Sequence, residues 1–146
     1  MTAFHVVLGT ALIAVNLAAG LYGGWRWWRQ APSRAFWVAL RIGQALVAVE
    51  AAQGLVLILM GRDLPPLHLI YGLVPLGVAF LAEQLRLVSA QTVLDARGIG
   101  SAAEVGTLPD DEQRAIVLAV LRREMGIMAT SAVVVALLGV RAAGGL

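Results

Sequence analysis

The chain contains no cysteine. It therefore cannot form a disulfide, a thiolate metal site, an iron–sulfur cluster or a CxxC redox pair. It also lacks the Walker loop and the HExxH, GxSxG and dinucleotide-binding patterns, so the sequence indicates neither a hydrolase nor a nucleotide-driven pump. We do not expect a stand-alone enzyme, and any electron-transfer function would need a bound cofactor.

Charged residues are also scarce. They make up 14% of the 146 residues, whereas hydrophobic residues make up 60%. This composition predicts an integral membrane protein with the lipid bilayer as its main partner. The 11 basic residues, all arginine, barely outnumber the 9 acidic ones, which gives no sign of nucleic-acid binding. The first apolar run has no basic segment before it and exceeds a signal peptide in length, so we expect a retained helix in the inner (plasma) membrane of the cell.

Four apolar runs are long enough to cross a bilayer, whose hydrocarbon core of about 30 Å requires about 20 helical residues. They are Ala3 to Gly24, Ala35 to Met60, Pro66 to Val88 and Met125 to Ala143. The predicted fold class is therefore all-α. We expect a single multi-pass domain over residues 1–146, built as a transmembrane four-helix bundle.

Arginine is distributed unevenly between the two ends of these spans. Nine of the 11 arginines flank the first turn or lie in the third connection: Arg26, Arg29, Arg34, Arg41, Arg86, Arg97, Arg114, Arg122 and Arg123. Only Arg62 and Arg141 lie at the opposite edge. Because short cytoplasmic connections carry the excess of basic residues, this pattern predicts that the N-terminus and the C-terminus are both outside the cell.

The third connection, residues 89–124, is predicted to be a cytoplasmic helical hairpin. Helix-forming residues continue the third span to Arg97, and Gly98 then ends the helix. Thr107 offers an N-cap, followed by an early proline and by Asp110 in the first turn of the next helix. Two long helices should therefore extend the bundle on its cytoplasmic side.

The chain has two histidines, and each stands near the start of a predicted span. His5 is followed by Gly9 and His68 by Gly72, so both occur as H-x-x-x-G. Four residues make about one helical turn, which places each glycine on the face of its histidine, one turn deeper. A missing side chain beneath an imidazole leaves room for a flat ring system to approach the backbone.

In a bundle of antiparallel neighbours, the first and third helices are parallel and lie diagonally across the core. His5 and His68 would then lie at similar depth near the outer face, an arrangement that suits the two axial ligands of haem b. Arg62 in the outer turn would neutralise a propionate, and Tyr71 lies on the His68 side of its helix. The alternatives are a polar interfacial role for the histidines and a non-haem metal site, for which two histidines without a third ligand are a poor set.

Glu50 is the only acidic residue deep within a predicted span. Counted from the outer turn, it lies about 16 Å inward and near the midplane, with Asn16 at comparable depth. Gln53 shares the Glu50 face one turn nearer the histidines, and Gln44 continues inward. This polar track suggests a proton path, whereas the competing interpretation is that Glu50 hydrogen-bonds Asn16 or a backbone carbonyl and stabilises the bundle.

Further charges stand near the inner ends of the third and fourth spans. They are Glu83, Arg86, Arg122, Arg123 and Glu124. We expect them to form ion pairs between these two helices at the membrane interface and to have no catalytic role.

With its four spans and two histidines, the whole chain resembles small four-helix b-type cytochromes and the four-helix halves of haem A synthase-like proteins. This resemblance implies a haem-binding bundle with His5 and His68 as axial ligands. A second histidine pair and the charged residues of a haem-modifying site are missing, so synthase activity is not implied. The segments Leu67–Gly72, Ala82–Arg86 and Arg122–Met125 also look like those of actinobacterial four-span membrane proteins of unassigned function.

Three functions follow from these patterns. The first is a small electron-transfer or redox-sensing protein that binds haem b. The second is a non-catalytic accessory or assembly subunit of a larger membrane complex, and the third is a proton-coupled transporter that uses Glu50. Gly20 and Gly24 form a G-x-x-x-G pattern that permits close helix approach, so a homo-oligomer is also expected.

Overall fold

A computed structural model of the chain describes residues 3–63 and 65–144. The described residues form four long helices and one short one, as the sequence predicts for an all-α protein. The helices are α1 (Ala3–Trp28), α2 (Arg34–Leu59), α3 (Pro66–Asp95), α4 (Ala102–Val105) and α5 (Asp110–Gly144). The short α4 was not expected from the sequence. The chain termini lie outside the described residues.

Local sequence explains where the helices begin and end. The Ser33 side chain caps α2 by accepting a hydrogen bond from the Phe36 backbone N–H. Proline is compatible with the first position of α3, because the backbone N–H that proline lacks would have no hydrogen-bond acceptor within the helix at this position. Beyond α2 and α3, Gly61 and Gly98 adopt positive φ angles of 74° and 70°, a conformation that glycine accepts without strain.

The long helices form a ring in which α5 packs extensively against both α1 and α3, and α1 packs against α2. The contact between α2 and α3 is much less extensive, and α2 and α5 barely meet. Helices α1 and α3 are therefore diagonal, as the predicted bundle requires. All four long helices are long and apolar enough to cross a membrane, which confirms the predicted number of spans.

The core consists of separate layers along the bundle. One layer, between the Trp25–Arg34 end and the middle, contains Phe36, Leu40 and Met128, all almost fully buried. Gly23 lets Phe36 approach α1, because a Cβ at this position would lie 2.3 Å from the Phe36 ring. The next layer is formed by Leu12, Val47 and Val135.

The predicted hairpin corresponds to the extension of α3 to Asp95 and to the start of α5 at Asp110. These two ends are held together by Leu94, Ile99 and Ile116, with Val105 of α4 packed against them. The connection thus contributes its own residues to a small core, which accounts for the ordered turn around α4. The long helices consequently extend well beyond the predicted spans 66–88 and 125–143.

Candidate functional site

The structure brings the two histidines together at one end of the bundle. His5 lies in the first turn of α1 and His68 in the first turn of α3. Their ring centroids are 5.7 Å apart, with an angle of 66° between the ring planes. Two residues that are 63 positions apart in the sequence therefore meet across the diagonal of the bundle, as the parallel arrangement of these helices predicts.

Glu50 of α2 belongs to the same group. Its Oε2 atom lies 2.7 Å from Nδ1 of His5, and the two side chains are only 11% and 15% exposed. The sequence interpretation assigned His5 to the outer edge and Glu50 to the midplane, and these two depths cannot both be correct. The contact shows that both side chains lie at the same level of the bundle. Helix α2 continues for more than two turns beyond Glu50, to Leu59, so it extends further past this level than α1, which is described from Ala3.

The fourth long helix contributes a backbone group. Nδ1 of His68 lies 3.2 Å from the carbonyl oxygen of Ala142 in α5. Because a carbonyl oxygen only accepts hydrogen bonds, the Nδ1–H of His68 is the donor. This bond fixes the tautomer of the neutral ring, with its lone pair on Nε2. All four long helices thus contact the histidine cluster, which we define as His5, Glu50 and His68.

Arg141 is a member of this region that the sequence analysis missed. Its guanidinium lies 5.3 Å from the centroid of the Tyr71 ring, a distance typical of a cation–π contact. The sequence analysis used Arg141 only as one of the two arginines at the edge of the spans where arginine is scarce. Its place near the end of the fourth span, at the same edge as Arg62, was the only signal in the sequence. The approach of α5 to α3 at this point is a tertiary feature.

A cavity of about 690 Å³ adjoins the histidine cluster. It lies between the ends of α2, α3 and α5 and the α2–α3 turn. Its lining includes both histidines, Arg62, Asp63, Tyr71 and Arg141, together with Gly54, Leu57, Pro65, Leu67, Leu69, Ala142 and Ala143. Arg62 and Tyr71 were predicted to lie here, and both do.

The two glycines of the H-x-x-x-G patterns have different surroundings. A Cβ at Gly9 would lie 3.6 Å from Oε1 of Glu50, so the space above Gly9 is used by that carboxylate. A Cβ at Gly72 would meet no atom within 4 Å, and the same is true of Gly54 on the cavity wall. Open space on the cavity wall is therefore found beside Gly54, whereas Gly72 is exposed and does not line the cavity. The two H-x-x-x-G glycines thus do not have equivalent surroundings.

Asn16 does not join the histidine cluster. Its Nδ2 donates a hydrogen bond of 2.9 Å to the Leu12 carbonyl oxygen within its own helix. Its side chain packs on Gly43, where a Cβ would lie 2.7 Å from Oδ1 of Asn16. Gly43 is two turns, or about 10 Å, from Glu50 along α2. The expected hydrogen bond between Glu50 and Asn16 is therefore absent from the described residues.

The proposed polar track along α2 is interrupted as well. Gln53 is half-buried one turn beyond Glu50, but Gln44 points into a different group and donates a hydrogen bond of 2.9 Å to Glu83. The apolar layer that contains Val47 and Leu12 lies between the two polar groups. Within the described residues, the bundle therefore has polar clusters near its two ends and a largely apolar layer between them.

The second polar group, which we call the arginine cluster, consists of Arg41, Gln44, Glu83, Arg86 and Glu124. Glu83 pairs with Arg41 of α2 and, at 3.1 Å, with Arg86 one turn further along α3. Arg86 also lies 3.9 Å from Glu124 of α5. Of the predicted pairing between the third and fourth spans, the described residues contain only the contact between Arg86 and Glu124. Arg122 and Arg123 take no part in it, and α2 supplies an arginine that was not expected.

Among residues 3–63 and 65–144, no three or more histidine, aspartate or glutamate side chains are placed as a group that could hold a metal ion. The region thus lacks the set of at least three protein ligands typical of a zinc site.

Comparisons with known proteins assign no family to this arrangement. No protein-family model matches the chain. No curated protein and no solved structure matches it at a significant level either.

Proposed function

We propose that this chain is a small membrane protein that binds one haem b between His5 and His68 and serves in electron transfer or redox sensing. The observation that carries the proposal is the meeting of the two imidazoles from diagonal helices beside a cavity with two arginines. The proposal also agrees with the resemblance to four-helix b-type cytochromes.

The contacts of the two rings support this role. A histidine that binds a metal usually has its second ring nitrogen held by a carboxylate or a backbone carbonyl, which fixes the ring orientation. Here Nδ1 of His5 lies against the Glu50 carboxylate, and Nδ1 of His68 donates to the Ala142 carbonyl. In both rings Nε2 would then be the coordinating atom. Glu50 and Ala142 would act as positioning groups.

The spacing of the rings is also suitable. Two nitrogen ligands about 2.0 Å from one metal ion lie about 4 Å apart. The centroids of the rings that carry them are further apart than the nitrogens, so the observed centroid separation of 5.7 Å is in a compatible range.

The cavity supplies volume and charge. Its volume of about 690 Å³ falls within the range of about 300–1,000 Å³ found for cofactor and ligand pockets. Arg62 and Arg141 would face the two propionates, and Tyr71 would hold the Arg141 guanidinium in place. The open position beside Gly54 on the cavity wall would accept the edge of the macrocycle.

When bound, haem b supplies a one-electron couple whose potential depends on its axial ligands and on nearby charge. The chain's own contribution would be to hold two neutral imidazoles and to compensate the propionate charge with arginine. Its apolar layer around Val47 would keep water away from the inner face of the site. The same layer argues against a proton path through a single copy of the chain, so the transporter hypothesis loses its structural basis.

We also propose that the histidine cluster faces the outside of a bacterial plasma membrane and that the α3–α5 connection is cytoplasmic. The support is the distribution of arginine, with nine of 11 toward the end that carries this connection. The exposed Trp25 and Trp28 next to Arg26 and Arg29 are typical of the membrane interface at this end.

The absorption spectrum of the protein, purified in detergent after expression with ample haem supply, tests the haem proposal. We expect about one haem b per chain, a sharp Soret band that shifts on reduction, and resolved α and β bands. His5→Ala and His68→Ala should each abolish this spectrum or convert it to a five-coordinate one, whereas Glu83→Gln in the arginine cluster should leave it unchanged.

A colourless protein, or a spectrum unchanged in both histidine variants, would contradict the proposal. The accessory-subunit hypothesis would then be the better explanation of the chain.

A further inference from the structure

A second cavity lies on the opposite half of the bundle, as a groove over α5 between α1 and α3. Its volume is about 950 Å³, and it is separate from the cavity at the histidine cluster. One wall contains Leu21 and Trp28 of α1, and the other contains Leu81 and Leu85 of α3. Arg123 of α5 lies at one end of the groove.

Glycine creates the space in this groove. A Cβ at Gly24 would meet no atom within 4 Å, so the groove is open at this position. At Gly126 a Cβ would lie 2.9 Å from Nε1 of Trp27, so this glycine allows the indole to lie close to α5. The apolar walls face outward, since Leu21 and Leu81 are both more than half exposed.

Arg123, at the end of the groove, forms no ion pair with any residue in the part of the chain that the structure describes. The ion pairs among the described residues involve Glu50, Glu83 and Glu124, and none of them includes Arg123. The neighbouring Arg122 lies 5.8 Å from the Trp27 ring, so positive charge and indole are combined at this end. An anionic group that binds here would meet Arg123 and the exposed Trp28 together.

The length of the groove matches half a bilayer. From Arg123 to Val133, which both line it, α5 rises about 15 Å, and the hydrocarbon core of a bilayer is about 30 Å thick. The groove therefore starts at a charged, tryptophan-rich end and continues through one leaflet. A single acyl chain beneath a headgroup has this combination of length, polarity and direction.

We propose that this groove is a binding site for an anionic phospholipid. The phosphate would bind Arg123, and one acyl chain would lie over Gly24 between Leu21 and Leu85. The site is independent of the haem proposal, because it shares no lining residue with the cavity at the histidine cluster.

Native mass spectrometry of the full chain tests this proposal. The protein is reconstituted in nanodiscs of equal parts phosphatidylglycerol and phosphatidylcholine, released into a mild detergent, and its retained lipids are counted. We expect one phosphatidylglycerol per chain, retained several-fold over phosphatidylcholine. Arg123→Gln should lower this preference about fivefold, since one arginine near a membrane surface contributes about that factor.

Two pairs of variants make the result specific. Arg114→Gln removes the same charge from an exposed position on the same helix outside the groove, and it should keep the preference. Gly24→Leu should fill the groove and lower retention of any phospholipid. Gly77→Leu, at an equally open position of α3 away from the groove, should not.

Equal loss in Arg123→Gln and Arg114→Gln, or full retention in Gly24→Leu, would overturn the proposal. A dimer mass that persists without phosphatidylglycerol and disappears in Gly24→Leu would also overturn it, because a second copy of the chain would then occupy the groove.

Discussion

The histidine cluster and the arginine cluster both join several helices, but their chemistry differs. In the arginine cluster every acidic group has an arginine partner, and the side chains are partly open to their surroundings, with 48% exposure for Arg41 and 26% for Glu83. In the histidine cluster one carboxylate contacts one ring of a histidine pair, at 11% exposure for Glu50.

This difference agrees with a structural role for the arginine cluster and with the binding role that we propose for the histidine cluster. Exposed ion pairs with matched charges hold helices in register and contribute little free energy each. The two imidazoles instead lie in contact with each other beside a cavity whose wall also contains Arg62 and Arg141. The arginine cluster thus pairs each of its acidic groups within the chain, whereas the histidine cluster is the site at which we propose that a ligand binds.

The apolar layer between the clusters makes them independent. Leu12, Val47 and Val135 are buried between them, and Asn16, the nearest polar side chain, is hydrogen-bonded within its own helix. Substitutions in one cluster should therefore leave the other unchanged, and each of the following predictions uses this independence.

The largest effect is expected for Glu50→Lys. A lysine at this position would add a cation to two imidazoles in a poorly exposed site and would cost a few kcal/mol, a large part of the stability of a typical domain. We expect little monodisperse protein on size-exclusion chromatography in detergent. Glu50→Gln, which keeps the size and a hydrogen-bonding group, should purify normally.

A stable, monodisperse Glu50→Lys protein would contradict the buried contact with His5. Residue 50 would then face water or lipid, and the special character of the histidine cluster relative to the arginine cluster would disappear.

A smaller effect is expected for Glu83→Gln, which removes the ion pairs with Arg41 and Arg86. Because these groups are partly exposed, the loss should be about 1 kcal/mol, or a decrease of about 2–4 °C in melting temperature. The decrease should shrink in 1 M salt, where the screening length is about 3 Å. Glu124→Gln, which loses one contact of 3.9 Å, should have a weaker effect.

A decrease for Glu83→Gln that is as large as that for Glu50→Lys, or that does not respond to salt, would show that the arginine cluster is a buried and essential site. The contrast between the two clusters would then be wrong.

The last prediction perturbs the protein least and concerns the side of the membrane that each end of the bundle faces. Tags at the N- and C-termini should be accessible to antibody on intact cells, and a tag inserted after Gly100 in the α3–α5 connection should be accessible only after permeabilisation. Detection of either terminal tag only after permeabilisation would reverse the proposed orientation and place the histidine cluster on the cytoplasmic side.

Local sequence determined the helices of this protein. Long apolar runs with few charges form helices in lipid, because every backbone N–H and C=O must find a hydrogen-bond partner within the segment. Ser33, Gly61 and Gly98 then mark the turns through capping and positive φ. The position of each histidine in the first turn of its helix was likewise apparent, and the order of the helices predicted that the two would meet.

Tertiary structure alone decided which polar groups share a site. Glu50 joins His5, Asn16 packs on Gly43, and Gln44 binds Glu83, although the sequence had suggested one polar track for these three residues and Gln53. Arg141 reaches Tyr71 only because α5 packs against α3. Helical periodicity specifies the face and the spacing of a residue along its own helix, but the relative axial position of two helices depends on how their side chains interlock. That offset of a turn or two determines whether a carboxylate lies beside an imidazole or beside an apolar layer.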